Sequence, residues 1–154
     1  MTDSDETEKL RTIATYQFGA GAAEALFPAD EQRSINYSSG GRPRQVHAAD
    51  GRIVSLGTDG RFTLGIDGGR RLQAALDAPR SRVVVGSESD PYVRDGRNAF
   101  AKFVREVDPA IRPGDEVLVV TEEGLLAVGE AALSASECEA FETGVAVDVR
   151  ESVE

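Results

Sequence analysis

Side chains that commonly carry out chemistry are scarce in this chain: 154 residues hold one histidine, His47, and one cysteine, Cys138. Catalysis by a thiol or hydroxyl nucleophile needs a base within hydrogen-bond reach. His47 falls on a predicted strand among Arg and Ala with no cysteine near it in sequence, and reads as a surface or half-buried structural histidine. Cys138 lies in SASECEAF, where Glu137 and Glu139 would raise a thiol pKa and leave it inert. Paired carboxylates at Asp115-Glu116 and Glu122-Glu123 read as solvated surface in so acidic a chain. One Cys and one His cannot build a cysteine-rich zinc site, and no GxxxxGK(S/T) or GxGxxG follows a strand. No catalytic residue, metal or cofactor is expected.

The stretch VRDGRNAFAKF, residues 93–103, is better suited to holding a ligand. Arg94, Arg97 and Lys102 supply cations, and the Asn98 amide can donate to phosphate or ribose oxygens. Gly96, followed closely by the small Ala99, lets a backbone approach. Arg94, Gly96, Arg97, Asn98, Ala99 and Lys102 are therefore the candidate RNA-binding residues. Arginines also pair up at Arg42 and Arg44 and at Arg70 and Arg71. Phe100 and Phe103 could stack on bases, but their strand spacing favours the core.

A formal charge of -10 weighs against simple nucleic-acid binding, because phosphates are neutralised by clustered Lys and Arg. Lys9 and Lys102 are the only lysines, and acidic residues crowd the first eight positions and the stretch 108–142. This acidic, lysine-poor composition resembles that of halophile proteins. In molar salt the Debye length falls to about 3 Å, so short-range contacts outweigh the total charge. A lone cysteine forms no intrachain disulfide and suits a reduced cytoplasm. No apolar run approaches the roughly 20 residues of a membrane span, and MTDSDETEK lacks the features of a secretory signal. A cytoplasmic protein with no membrane partner is expected.

The positioning elements are short. Residues 1–8 have nothing to bury and are expected to be a disordered acidic tail. Leu10, Ile13, Ala14 and Phe18 have helical spacing, and a second helical stretch from Ala22 stops at Pro28. Asp50-Gly51 and Asp59-Gly60 mark tight turns in a meander with strands near 42–48, 52–56 and 61–66. Leu72, Ala75 and Leu76 suggest a short helix closed by Pro79. Beyond it come a strand at Arg82–Val85, a helical turn at Pro91–Arg94, a turn at Asp95-Gly96 and a strand at Ala101–Val107. A hairpin follows from Glu116–Val120 and Leu125–Ala131. Ser134 and Glu137 have capping-box spacing for a helix to Phe141, and the alternation of Val145, Val147 and Val149 marks a final strand.

The opening RVVV, Gly96 before the second strand, GDEVLVV at 114–120, LLAVG at 125–129 and the closing GVAV at 144–147 together resemble the PUA domain of pseudouridine synthases and archaeosine transglycosylases. Upstream, YQFG at 16–19 is similar to the small domain preceding PUA in archaeosine tRNA-guanine transglycosylase and archaeosine synthase. The resemblance implies an α+β fold: a tail at 1–8, a small α+β domain at 9–80 and a PUA-type β pseudo-barrel at 81–152. It implies that the glycine loop meets a tRNA acceptor stem, and the large catalytic barrel of the parent enzymes is not in this length. The expected function is an RNA-binding accessory role in tRNA modification. Its partners would be tRNA and a separately encoded tRNA-guanine transglycosylase or archaeosine synthase. The alternative is a protein-interaction scaffold subunit that does not itself bind RNA.

Overall fold

The computed structural model describes residues 2–153. The chain divides into two compact units, one up to Leu76 and one from Asp77 onward. The first contains α1 (Thr2–Phe18), α2 (Ala22–Leu26), β1 (Ser34–Tyr37), β2 (Pro43–Ala48), β3 (Gly51–Leu56), β4 (Phe62–Leu64) and α3 (Ile66–Ala75). Its four strands form an antiparallel meander in the order β1-β2-β3-β4. Leu10, Ala14 and Phe18 stand four residues apart on α1 and are buried with Val46, Ile53, Val54, Phe62 and Leu64 from the sheet. Phe27 meets Phe62 edge-to-face with ring centroids 5.8 Å apart.

Three features of this unit depart from the sequence reading. Helix α1 begins at Thr2, inside the stretch expected to be disordered. An acidic sequence suits the first turns of a helix, where the summed peptide dipoles leave positive charge. Strand β1 was not expected, because Ser-Ile-Asn-Tyr has little apolar alternation; its pairing with β2 defines it. Helix α3 begins at Ile66, through a Gly68-Gly69 pair that reads as a turn. A Cβ on Gly68 would lie 2.1 Å from the Ile53 carbonyl oxygen, so glycine here lets the helix pack directly onto β3.

The second unit contains β5 (Arg82–Val85), α4 (Asp90–Arg94), β6 (Ala99–Phe100), β7 (Val104–Val107), β8 (Glu116–Thr121), β9 (Gly124–Ala131), α5 (Ala135–Ala140) and β10 (Val145–Ser152). Six strands in the order β6-β10-β9-β8-β5-β7 make a nearly closed barrel, with β5 parallel to β8 and the other pairs antiparallel. Val83, Val85, Val117, Val119, Leu126 and Val147 fill it, alongside Ala99, Ala131, Ala146 and Cys138. The expected strand from Ala101 is instead a 3-10 turn, Ala101–Phe103, before β7. The chain leaves β10 at Phe100 and next pairs with β5, and the turn makes that change of direction. In β10 the alternation is broken by a register shift between Val145 and Val147, which leaves Ala146 fully buried. The Ser134 capping box forms as expected: its hydroxyl accepts from Glu137 N at 3.2 Å while Ser134 N donates to the Glu137 carboxylate at 2.9 Å.

Candidate nucleic-acid interface

The candidate loop is the C-terminal end of α4 and its passage into β6. Pro91 fits the first turn of α4, where its missing N–H costs nothing. The helix ends on Gly96, at φ +89. Gly96 N donates to Val93 O at 2.9 Å and Arg97 N to Tyr92 O at 3.0 Å. This is the left-handed glycine stop that satisfies the last helical carbonyls. The turn expected at Asp95-Gly96 is therefore a helix cap, and the space a Gly96 Cβ would enter is open.

The candidate side chains separate into those that hold the loop and those that remain available. Asn98 uses both ends of its amide internally: Oδ1 accepts from Val149 N at 2.9 Å and Nδ2 donates to Asp148 at 3.3 Å. Ala99 is fully buried and pairs with Val147. Arg94 is held by Asp90 one turn back, and its carbonyl accepts from Ser152 Oγ at 3.0 Å. Arg97 is two-thirds exposed, with its guanidinium 5.9 Å from the Tyr92 ring centroid and only a 3.8 Å contact to the exposed Asp95. Lys102 is exposed, with Nζ 5.0 Å from the Phe103 ring. Phe100, expected in the core, is 43% exposed, because β6 holds only two residues and Ala99 takes the inward position. Tyr92, 57% exposed, was missed. The available signal was its place beside Val93 in a one-turn helix, where only one of two adjacent apolar residues can face the core.

Residues 8–79 match the patch-forming domain C2 of tRNA-guanine transglycosylase, and residues 81–153 match the PUA domain. This chain is a C2 domain followed by a PUA domain. It is 46% identical over 147 residues to the tRNA-guanine(15) transglycosylase of Pyrococcus furiosus, covering 94% of this chain and 24% of that protein. It is 41% identical to the enzyme of Methanobrevibacter smithii, covering 97% of this chain and 23% of that one. The chain thus spans about a quarter of the length of these relatives and matches their C-terminal part. A hypothetical protein from Pyrococcus horikoshii has a similar fold, with TM-score 0.67 and 20% identity over 96% of this chain and 90% of that one. So does a PUA domain protein from Thermoplasma acidophilum, with TM-score 0.59 and 19% identity over 92% and 89% of the two chains.

Elsewhere in the PUA domain, Cys138 is buried, and burial followed by Glu137 and Glu139 pushes its thiol pKa up. In the C2 domain Arg71 is committed internally. It grips the Glu31 carboxylate with two bonds of 2.5 and 2.6 Å, bonds Asp67 at 3.0 Å and donates to Leu26 O. Arg42 donates to Gly57 O at 2.6 Å, whereas Arg44 and Arg70 are exposed. His47 Nε2 lies 3.1 Å from Gln45 Oε1. Among the described residues no cluster of His, Cys, Asp and Glu could hold a metal, and no helix is long and apolar enough to cross a membrane.

Proposed function

We propose that this protein binds the acceptor stem of a tRNA through the α4–β6 loop of its PUA domain and acts as an accessory to a tRNA-modifying enzyme. Catalysis is supplied by a separate chain, a tRNA-guanine transglycosylase or archaeosine synthase, in the cytoplasm of a halophilic archaeon. The carrying observation is that the two domains match transglycosylase sequence at 40–46% identity while the second keeps two exposed cations on either side of β6, Arg97 in the α4–β6 loop and Lys102 in the 3-10 turn that follows. Arg97 and Lys102 meet phosphates, and the uncovered surface at Gly96 admits the RNA backbone. Asn98 and Ala99 hold the loop to β10, and Arg94 ends the helix that presents it. A-form RNA displays phosphates and 2′-hydroxyls more readily than base edges, so the recognition is of shape.

The competing reading is a scaffold subunit that contacts only protein, favoured by the excess of 17 acidic over 8 basic residues from Asp77 onward. Capture of the tagged protein from its native cells at high salt, with sequencing of bound RNA and identification of bound protein, separates the two. The tRNA-binding reading expects tRNA that persists after the protein partner is removed. Protein without RNA would favour the scaffold.

A further inference from the structure

We infer that the free edge of the four-stranded sheet, strand β1, is a self-association surface, where β1 of a second copy of this chain adds antiparallel and joins the two sheets into one of eight strands. This association does not depend on RNA. The fold treats the two outer strands of the sheet differently. An outer strand leaves every second N–H and C=O without a ladder partner. On β4 those groups are sealed: Gln17 Nε2 donates to Phe62 O at 2.8 Å, Phe62 N donates to Gln17 Oε1 at 2.7 Å, and the Arg52 guanidinium donates to Leu64 O at 3.3 Å. Among the described residues β1 has no such cover.

The turn after β1 sets which of its backbone groups face outward. Ser38 N donates to Arg42 O at 2.7 Å, so Ser38, Asn36 and Ser34 face β2, and the N–H and C=O of Ile35 and Tyr37 point away from the sheet. Among the described residues those outward groups have no hydrogen-bond partner. The extra residue of the bulge between the two strands, Arg44, belongs to β2 and leaves the outer edge of β1 uninterrupted. Edge strands are commonly guarded by charge or proline. Ser34–Tyr37 has neither, in a chain of which 29% of residues are charged.

Self-complementarity selects a second copy as the occupant. With a twofold axis at Asn36, each Ile35 lies opposite Tyr37 of the other copy, and the outward groups of the two pairs exchange N–H···O=C bonds. Each pair joins a β-branched to an aromatic side chain, a favoured cross-strand combination. Ser34 then lies opposite Ser38 and Arg33 opposite Ser39, so no like charges meet. Within one copy Ile35 lies opposite the buried Val46 and shares the core-facing side of β1 with Tyr37, yet Tyr37 is 48% exposed. Beside them runs a groove of about 520 Å³ lined by Thr7, Glu31, Gln32, Arg33, Ile35 and Tyr37, which takes the Tyr37 ring of the second copy. A stable interface buries about 1,200–2,000 Å² in total. Strands of four residues supply less, so the dimer dissociates on dilution.

The test is sedimentation velocity of the full-length protein without RNA, over a concentration series at high salt, together with disulfide trapping. The wild type is expected to pass from monomer to dimer as concentration rises. Tyr37→Pro removes an outward N–H that has no partner within the chain, a position where an edge strand tolerates proline. It should raise the dimer dissociation constant at least about tenfold and leave the protein folded by thermal melts. In the proposed register the two Asn36 residues form a close, non-hydrogen-bonded pair with Cα atoms about 4.5 Å apart, within reach of a disulfide. Asn36→Cys should therefore cross-link to a dimer under mild oxidation, the native Cys138 being buried. Ser34→Cys should not, because its two copies stand roughly 13 Å apart along the paired strands. A wild type that is still monomeric at about 1 mM, a dimer that folded Tyr37→Pro forms as tightly as wild type, or Asn36→Cys cross-linking no better than Ser34→Cys would overturn the inference. Should Tyr37→Pro fail to fold, the two cysteine variants decide.

Discussion

The C2 and PUA domains carry nearly equal numbers of basic residues, nine up to Leu76 and eight beyond it, yet ten acidic residues stand in the first and seventeen in the second. Net charge alone would assign RNA to the nearly neutral C2 domain and withhold it from the strongly acidic PUA domain. The geometry teaches a different lesson, because most arginines in both halves are occupied internally. In C2, Arg71 is tied to Glu31 and Asp67, Arg11 to Glu24 and the Phe27 carbonyl, and Arg42 to Gly57. In PUA, Arg105 is tied to Glu88, and Arg150 to the nearly buried Glu116. What distinguishes a contact surface is a cation left over, and among the described residues those cations are few in either half: Arg97, Lys102 and Arg112 in PUA, and Lys9, Arg44 and Arg70 in C2.

The comparison breaks most sharply at Arg71. Its removal leaves Asp67, 4% exposed, buried without its counter-charge, which costs on the order of 3–5 kcal/mol. Calorimetry of Arg71→Ala should show that loss in a C2 transition while the PUA transition keeps its temperature. A common shift of both would mean that the two cores unfold as one. Next in size, Arg97→Ala and Lys102→Ala should each cost about 1 kcal/mol of tRNA affinity, the scale of one charge-assisted contact. Both should leave the melting temperature unchanged, because neither side chain holds the fold. An affinity loss of the same size from Arg70→Ala would show that the PUA cations have no special place.

The smallest effect concerns pH. The hydrogen bonds from Arg71 hold the Glu31 carboxyl below its ordinary value of 4.5, with the charges of Arg71 and Arg33 adding to the effect against burial. A carboxyl depressed in the folded state stabilises fully above its unfolded pKa, and that stability is lost as pH falls through the folded value. Glu31→Gln should therefore flatten the acid side of the stability curve below about pH 4.5 and leave its slope near neutrality unchanged, as followed by thermal melts across pH. An unaltered acid limb would dissociate Glu31 from the Arg71 network.

Local signals in the sequence were read well where the decisive contacts are local. Ser134 and Glu137 bond each other three residues apart, and the strands around Asp50-Gly51 and Asp59-Gly60 follow from alternation and turn chemistry. Signals failed where a distant partner decides. Gly68 looks like a turn until the Ile53 carbonyl is seen against it. Asn98 looks like a free amide until Asp148 and Val149, some fifty residues later, are found occupying it. The same holds for Arg71, whose partner Glu31 is forty residues away. Arginine pairs in the sequence therefore mark candidates, and only the fold separates a cation in use from one to spare.

The central claim, that RNA meets the glycine end of α4, is tested most directly by comparing Gly96→Val with Gly124→Val. Both glycines have positive φ, +89 and +133, so a side chain at either strains the backbone, by about 1–2 kcal/mol at a left-handed position. Calorimetry and titration with a tRNA acceptor stem at matched salt read stability and affinity separately. Both variants should stay folded with lowered melting temperatures, and Gly96→Val alone should lose most of its affinity, since its side chain fills the open space over the loop. Binding by Gly96→Val as tight as wild type, or an equal loss in both variants, would contradict the claim.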